Sequence, residues 1–274
     1  MKQFTVDDQS SKVRRVTFAN PPFNLIGADT MAELFDIVDR LSGEETVSVV
    51  IFDSATPGFF VNHVDGEQIP AVAAMAGSGP LPGFVELGVR LAAAPFVSIA
   101  SIRGRTRGGG AEYTAAFDLR YASREQAIFG QPEVGFGLIP GAGGTERLAH
   151  LLGRDRALEV LLTGQDYDAD RAAQYGWVTR AIPDAELDDF VDAVARRIAS
   201  FDKQAITAVK TQVNRSTLPP EEHLLASFVE SARSTTGPAA QARGRALGKL
   251  IAQIGIDDLE RNLGDHLESL AERP

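Results

Sequence analysis

The sequence predicts an α/β protein in which much of the sheet is parallel. Short apolar runs of strand length alternate with helical periodicity in the first part of the chain, and amphipathic helical segments follow after about residue 185. The chain has 274 residues, of which 44% are hydrophobic, so it can bury a sizeable core. We therefore expect an α/β core over residues 1–185 and a C-terminal helical region over residues 186–274.

Three runs have the composition of strands. The run RRVTFANPP alternates and ends at a pair of prolines, whereas TVSVVIFDSA and FVSIASIRGR are apolar runs typical of buried strands. The segment DTMAELFDIVDRL places five apolar side chains on one helical face, namely Met31, Leu34, Phe35, Val38 and Leu41. The expected N-terminal cap of this helix is Asp29 or Thr30.

The C-terminal region contains three amphipathic segments separated by turns, DAELDDFVDAVARRIASF, DKQAITAVKTQVNRS and PPEEHLLASFVESARS. From about Ala239 to the end, the pattern is again helical and rich in charge. The sequence shows no tandem repeat and no low-complexity linker between the two regions. This region is therefore expected to consist of successive helices.

Composition argues against several classes of function. A net charge of −10 disfavours general nucleic-acid binding, which needs a basic face. The lack of cysteine excludes disulfides, thiolate metal ligands and a cysteine nucleophile. The first residues lack the apolar segment of a signal peptide, and prolines and glycines interrupt the uncharged stretch from Gln68 to Val85. We expect a mobile loop in that stretch and a cytoplasmic protein without membrane or nucleic-acid partners.

The segment SIASIRGRTRGGGAEYTAAFDL predicts a strand, a tight loop and then a helix. Gly108, Gly109 and Gly110 occupy the turn and the first helical positions, where glycine lets a ligand approach the backbone. The first amides of a helix lack internal partners and can donate to a polarised oxygen, and Glu112 follows in the first turn. Taken alone, the pattern is more often a packing turn with a glutamate that interacts with the helix dipole.

A second glycine-rich cluster supplies another carboxylate. Glu133 follows Gln131 and Pro132, and the turn PGAGGT then opens the helical segment TERLAHLLG. An isolated Glu133 would most often be a solvated loop residue, but together with Glu112 it suggests a general acid/base pair. The segment PGFFVNHVD follows a predicted strand, and its backbone is a candidate for a further amide donor.

Five segments occur in the order found in one known family. They are NPPFNLI, FFVNHVD, GRTRGGGAEYTAAFDLRYAS, FGQPEVGFGLIPGAGGTERL and LTGQDYDADRAAQYGWVTRAI. Over roughly residues 13–215, the chain resembles the enoyl-CoA hydratase/isomerase (crotonase) family. The resemblance implies a β-β-α spiral core, a C-terminal helical trimerisation or lid region, and an acyl-CoA thioester substrate.

The resemblance assigns roles to particular residues. It places the thioester oxygen between the backbone amides of Asn62 and Gly109. It implies that Glu112 activates a water molecule and that Glu133 is the acid/base at the α-carbon of a 2-enoyl thioester. Gly141 matches a position that helps to seat the water.

Further matching positions are implied to bind the substrate. Asn24 and Leu25 match the adenine pocket, and Lys210 matches a helix lysine near the phosphates of coenzyme A. Other positions expected to contact the substrate are His63, Val64, Asp65 and Phe136, with the loop 66–86 shaping the acyl pocket. Coenzyme A is part of the substrate, no metal or redox cofactor is implied, and a homotrimer or dimer of trimers is expected.

Departures from the family pattern leave alternatives open. Asn62 and His63 stand where the family usually has small residues, and the segment from Ser231 to Pro274 does not match the usual ending. An enoyl-CoA hydratase is the preferred interpretation. An isomerase, another acyl-CoA hydratase or hydrolase, and a non-catalytic acyl-CoA binder are the alternatives. The segment DYDAD (166–170) resembles a calcium loop, but Arg171 and Trp177 occupy key positions, so a turn and helix cap is expected.

Overall fold

The computed structural model describes residues 2–270 of the chain. Within that range the strands are β1 (Phe4–Asp8), β2 (Val13–Phe18), β3 (Val49–Ser54), β4 (Val97–Ile102), β5 (Arg105–Arg107), β6 (Leu119–Ser123), β7 (Ile128–Gly130), β8 (Asp166–Asp168) and β9 (Arg180–Ile182). The main sheet has the order β1-β2-β3-β4-β6-β9, with β1 antiparallel to β2 and the other neighbours parallel. A second sheet has the order β5-β7-β8. The predicted α/β class with substantial parallel pairing is confirmed.

The helices connect these strands and then continue to the end of the described chain. They are α1 (Ala28–Ser42), α2 (Ile69–Ala73), α3 (Gly83–Ala93), α4 (Gly108–Thr114), α5 (Gly144–Leu152), α6 (Arg154–Thr163), α7 (Ala169–Tyr175), α8 (Leu187–Ala199), α9 (Lys203–Thr217), α10 (Glu221–Thr235), α11 (Pro238–Ile254), α12 (Ile256–Arg261) and α13 (Leu263–His266). Short 3₁₀ helices cover Glu133–Phe136, Asp184–Glu186 and Leu267–Leu270. The helical C-terminal segments are confirmed up to residue 270, and residues 271–274 lie outside the described residues.

The continuous apolar run of β3 follows from its central position in the sheet. Val50 and Phe52 pack in the larger core cluster, whereas Val49 and Ile51 pack in a second cluster. Successive strand residues point to opposite faces, so a strand covered on both sides needs apolar residues at every position. Both faces of the main sheet are therefore buried.

Helix α8 covers the second of these faces. Its buried residues Leu187 and Val191 belong to the same cluster as Val49 and Ile51 of β3. The first helix of the predicted C-terminal region is thus packed directly against the core sheet.

The start of α1 corrects the predicted cap. The capping position is Gly27, and its N–H donates to the hydroxyl of Thr30 at 3.1 Å. Asp29 lies inside the first turn and Thr30 at the third helical position, so neither is the cap. The cap predicted in the DYDAD segment is confirmed, since the Asp168 carboxylate accepts the Arg171 N–H at 2.7 Å.

The uncharged stretch from residue 68 to residue 85 is more structured than the predicted loop, because it contains α2 and the start of α3. Pro70 lies in the first turn of α2, and Pro82 occupies the N-cap position of α3, both places where a helix tolerates proline. Among residues 2–270, no helix combines the length and the apolar composition needed to cross a membrane.

The packing of α8 can be tested by Leu187→Ala, which removes a fully buried side chain from the second core cluster. We expect the free energy of unfolding to fall by about 2–5 kcal/mol, the usual cost of truncating a buried leucine. Arg196→Ala, at an exposed position of the same helix, should change it by less than about 1 kcal/mol. Urea unfolding measures both values, and equal effects would contradict the proposed role of α8 in the core.

Candidate active site

A mostly apolar cavity of about 590 Å³ lies between the core and the C-terminal helices. The segments around residues 63–67, 108–112 and 132–142 form one side of it, and residues of α10, α11 and α12 form the other. Its size falls in the range of small-molecule sites. The predicted residues Leu25, Asp65, Phe136 and Gly141 all line this cavity.

Glu112 lies in the cavity wall with its carboxylate held by backbone amides. One carboxylate oxygen accepts the N–H of Ala142 at 2.7 Å and that of Gly144 at 2.8 Å. The side chain lies on α4, and the two amides come from the glycine-rich turn before α5. The two glycine-rich clusters of the sequence therefore meet at this carboxylate.

Glu133 lines the same cavity at the start of its 3₁₀ helix. One carboxylate oxygen accepts a hydrogen bond from the Gln131 amide at 3.0 Å. The other lies 3.1 Å from the point where a Cβ on Gly108 would be, so it borders the beginning of α4. The structure brings the two predicted glutamates to one cavity.

The environments of the two carboxylates differ. Burial raises the pKa of Glu133, and the nearby Glu112 raises it further. Burial also raises the pKa of Glu112, but the amides of Gly144 and Ala142 and the charge of Arg147 lower it again. Two neighbouring carboxylates repel each other when both are ionised, so the pair most easily carries one charge and one proton. The hydrogen bonds to Glu112 favour the charge there and the proton on Glu133.

Gly109 lies in the first turn of α4 and borders the cavity. Among residues 2–270, its N–H has no hydrogen-bond acceptor, as expected for an amide at a helix start. The neighbouring Gly110 packs against the backbone, because a Cβ there would lie 2.1 Å from the Val61 carbonyl oxygen. The glycine triplet thus provides a free N–H donor at Gly109 and lets α4 pack closely against Val61 at Gly110.

The prediction that Asn62 supplies the second donor is wrong. Its N–H already donates to the carbonyl of Asn24 at 3.1 Å, and Asn62 does not line the cavity. Val64 lines the cavity, and its N–H has no acceptor within the described part of the chain.

The direction of the Val64 N–H follows from the preceding carbonyl. The carbonyl of His63 accepts the N–H of Ile26 at 3.0 Å. Because a trans peptide is planar, the N–H of Val64 points away from Ile26. A Cβ on Gly109 would lie 2.9 Å from a methyl group of Val64, so the two residues that carry free donors are adjacent.

The predicted contact of the Asn24 side chain to coenzyme A is also wrong in this structure, and Lys210, the other predicted contact, has partners within the protein. Asn24 is fully buried, and its amide donates to Ser54 and to the carbonyl of Phe60. Lys210 donates to the carbonyl of Phe96 and to the carboxylate of Asp118, each at 2.8 Å. Both side chains thus hydrogen-bond within the protein.

His63 lines the cavity as predicted and has a partner that the sequence did not reveal. Its Nε2 lies 3.0 Å from the carboxylate of Glu260 on α12, which also lines the cavity. No local signal marks Glu260, because it is one of several acidic residues in a charged helical segment. The free N–H of Val64 could not be predicted for another reason, since a backbone donor does not depend on the type of side chain.

The chain is similar to known proteins in sequence and in structure. The family model for enoyl-CoA hydratase/isomerase matches residues 8–243. A short-chain-enoyl-CoA hydratase from Clostridium acetobutylicum is 32% identical over 76% of this chain and 80% of the relative. A crotonyl-CoA hydratase from Syntrophomonas wolfei is 32% identical over 73% of this chain and 77% of the relative. A solved structure from Streptomyces avermitilis, assigned to the enoyl-CoA hydratases, is 42% identical over 99% of this chain and 98% of that chain, with a TM-score of 0.93.

The spiral α/β core and the cavity with paired carboxylates define a crotonase-like protein. The chain belongs to the enoyl-CoA hydratase/isomerase family. The family and the fold class predicted from the sequence are thereby confirmed.

The close approach at Gly110 predicts the effect of Gly110→Ala. The added methyl group would also lie 2.2 Å from the Asn62 carbonyl oxygen, so α4 must move away from the 61–64 segment. We expect a loss of about 1–3 kcal/mol in the free energy of unfolding, as for other overpacked sites. Chemical denaturation measures this loss.

Gly244→Ala is the matched control, because a Cβ at this position in α11 would have no atom within 4 Å. It should raise stability by about 0.5–1 kcal/mol through helix propensity. A Gly110→Ala protein as stable as the Gly244→Ala protein would show that the 61–64 segment does not pack on α4 as described.

Proposed function

We propose that this protein is an enoyl-CoA hydratase, which adds water across the double bond of a 2-enoyl-CoA thioester. The observation that carries the proposal is the presence of Glu112 and Glu133 in one cavity whose wall also holds the free N–H groups of Val64 and Gly109. The related hydratases from Clostridium acetobutylicum and Syntrophomonas wolfei support the same reaction class.

The thioester oxygen would accept hydrogen bonds from the N–H groups of Val64 and Gly109. When a nucleophile adds to the β-carbon, negative charge develops on this oxygen as an enolate. Preorganised amides stabilise that charge more than they stabilise the neutral ground state. One such donor contributes about 3 kcal/mol to lowering the barrier.

The two glutamates would complete the addition. Ionised Glu112 accepts a proton from water as the water oxygen bonds to the β-carbon, and protonated Glu133 gives a proton to the α-carbon. The thioester gains one hydroxyl group and one hydrogen, and the proton passes back from Glu112 to Glu133 before the next cycle. Water and the thioester supply every atom, so we propose no metal or redox cofactor.

The different hydrogen bonds of the two carboxylates support this division of roles. Glu112 accepts two backbone N–H groups, which stabilise its ionised form. Glu133 is held by a single side-chain amide and is more easily kept neutral. An isomerase can move a double bond with one carboxylate, whereas water addition uses both.

Replacing either glutamate by glutamine should abolish most of the hydration activity. We expect Glu112→Gln and Glu133→Gln each to lower kcat with crotonyl-CoA by about 10²–10⁴-fold, the range for a lost general acid or base. The loss of enoyl thioester absorbance measures the rate. Longer 2-enoyl-CoA and 3-enoyl-CoA substrates should be included, since the cavity is mostly apolar and the acyl chain that it prefers is not known in advance.

Glu222→Gln is the control for loss of charge, because Glu222 is exposed at the start of α10. It should leave kcat unchanged. If the wild type binds acyl-CoA and turns over none of these substrates, the non-catalytic alternative replaces the hydratase. Turnover of only the 3-enoyl substrate would favour the isomerase.

The pH dependence of hydration tests which carboxylate holds the proton. Burial and the charge of Glu112 raise the pKa of Glu133 to about 8, so Glu133 is protonated below that pH and loses its proton above it. We expect kcat/KM to fall about tenfold per pH unit above pH 8, because the α-carbon then lacks its acid. A rate that stays level to pH 10, with unchanged circular dichroism, would remove Glu133 from the acid role.

The trimeric assembly implied by the resemblance and the cytoplasmic location expected from the sequence composition stay predictions. Light scattering on the purified protein would show whether it has the mass of a trimer or of a dimer of trimers.

A further inference from the structure

Glu260 connects the C-terminal helices to the wall of the cavity. It lies on α12, beyond residue 243, where the family match ends. Its side chain is only 5% exposed, and its carboxylate reaches two residues that lie nearly two hundred positions earlier. A buried carboxylate is costly unless it is paired, so these contacts need a physical account.

The carboxylate holds the segment that precedes Val64. It accepts the Nδ2–H of Asn62 at 3.0 Å, and it lies 3.0 Å from Nε2 of His63. The other ring nitrogen of His63, Nδ1, lies 2.9 Å from the carbonyl oxygen of Val64. Since both ring nitrogens face acceptors, the ring binds best as an imidazolium that donates to both.

The main chain of Glu260 holds the segment that precedes Gly109. The carbonyl of Glu260 accepts Nη1–H of Arg107 at 2.5 Å. Arg107 is the residue just before α4, its side chain is 1% exposed, and it also binds the carboxylate of Asp166. The position of α4 is thus tied to the backbone of α12.

Glu260 therefore contacts both chain segments that carry free amide donors. Its carboxylate fixes residues 62 and 63, and its carbonyl fixes residue 107. Val64 comes one residue after His63, and Gly109 comes two residues after Arg107.

We propose that Glu260 is a positioning residue that sets the separation of the Val64 and Gly109 N–H groups and so shapes the oxyanion hole. This inference rests on the proposed function, because it assigns those two amides to the thioester oxygen. The effect assigned to Glu260 on the thioester oxygen is indirect. It acts through His63, Asn62 and Arg107.

The first test measures polarisation of a bound thioester and needs no turnover. Butyryl-CoA labelled with ¹³C at the carbonyl is saturated and cannot be hydrated. On binding to the wild type, its carbonyl stretching frequency should fall, because two amides draw electron density onto the oxygen. In Glu260→Gln the decrease should be clearly smaller, while the affinity for butyryl-CoA stays within about threefold, since the apolar contacts remain.

The second test is kinetic. If crotonyl-CoA is hydrated, Glu260→Gln should lower kcat by about tenfold to a hundredfold with little change in KM, as expected for misplaced catalytic groups. Asp257→Asn is the matched control, because Asp257 lies exposed on the same helix and loses the same charge. It should keep the wild-type kcat and carbonyl shift.

The possible outcomes separate this inference from the proposed function. A wild-type carbonyl shift and kcat in Glu260→Gln would overturn the positioning role while leaving the hydratase intact. A reduced shift in Glu260→Gln without hydration by the wild type would support the positioning role and overturn the hydratase. If Glu260→Gln does not fold, His63→Asn removes the same ion pair from the other side and must also reduce the shift. An unchanged shift there would overturn the proposal.

Discussion

The site depends on the way the chain pairs Ile26 with residues 63–65. The His63 carbonyl accepts the Ile26 N–H, and the Asp65 N–H donates to the Ile26 carbonyl. This is the alternation of a parallel ladder, and it directs the N–H of Val64 to the opposite side. A donor for a developing oxyanion is therefore a consequence of strand pairing and needs no special side chain. The residues just before this pairing limit the approach of α4, because Gly110 packs against the carbonyls of Val61 and Asn62.

The sequence predicts best those features that are determined by residues close together in the chain. The apolar run of β3 and the position of Glu112 after three glycines depend on neighbours in sequence, and both were predicted in the right elements. The choice of Asn62 as a donor was wrong because every residue has the same N–H, and only the register with Asn24 decides which one is free. The ion pair of Lys210 with Asp118 was not foreseen for a similar reason, since packing brings the two residues together.

The two glutamates show how one residue type acquires two roles. Glu112 faces two amides of a glycine-rich turn, whereas Glu133 faces one side-chain amide and the charge of Glu112. Both line a mostly apolar cavity, so water screens the difference in hydrogen bonding only weakly. The glycine-rich turn before α5 thus has an electrostatic effect as well as a structural one. In the proposed mechanism, its two N–H groups favour the charge on Glu112.

The C-terminal helices form the other side of this cavity. Leu259 and Leu263 are buried in a cluster with residues of α11, and that apolar contact would hold the segment over the cavity by itself. Burial of the Glu260–His63 pair adds little to stability beyond this, because desolvation offsets much of the attraction between the charges. What Glu260 adds is direction: an apolar leucine contact is non-directional, whereas the hydrogen bonds of Glu260 to three residues weaken steeply when they are misaligned. Divergence in this part of the chain can therefore change the chemistry of the cavity through the geometry of its wall, without supplying a reactive group.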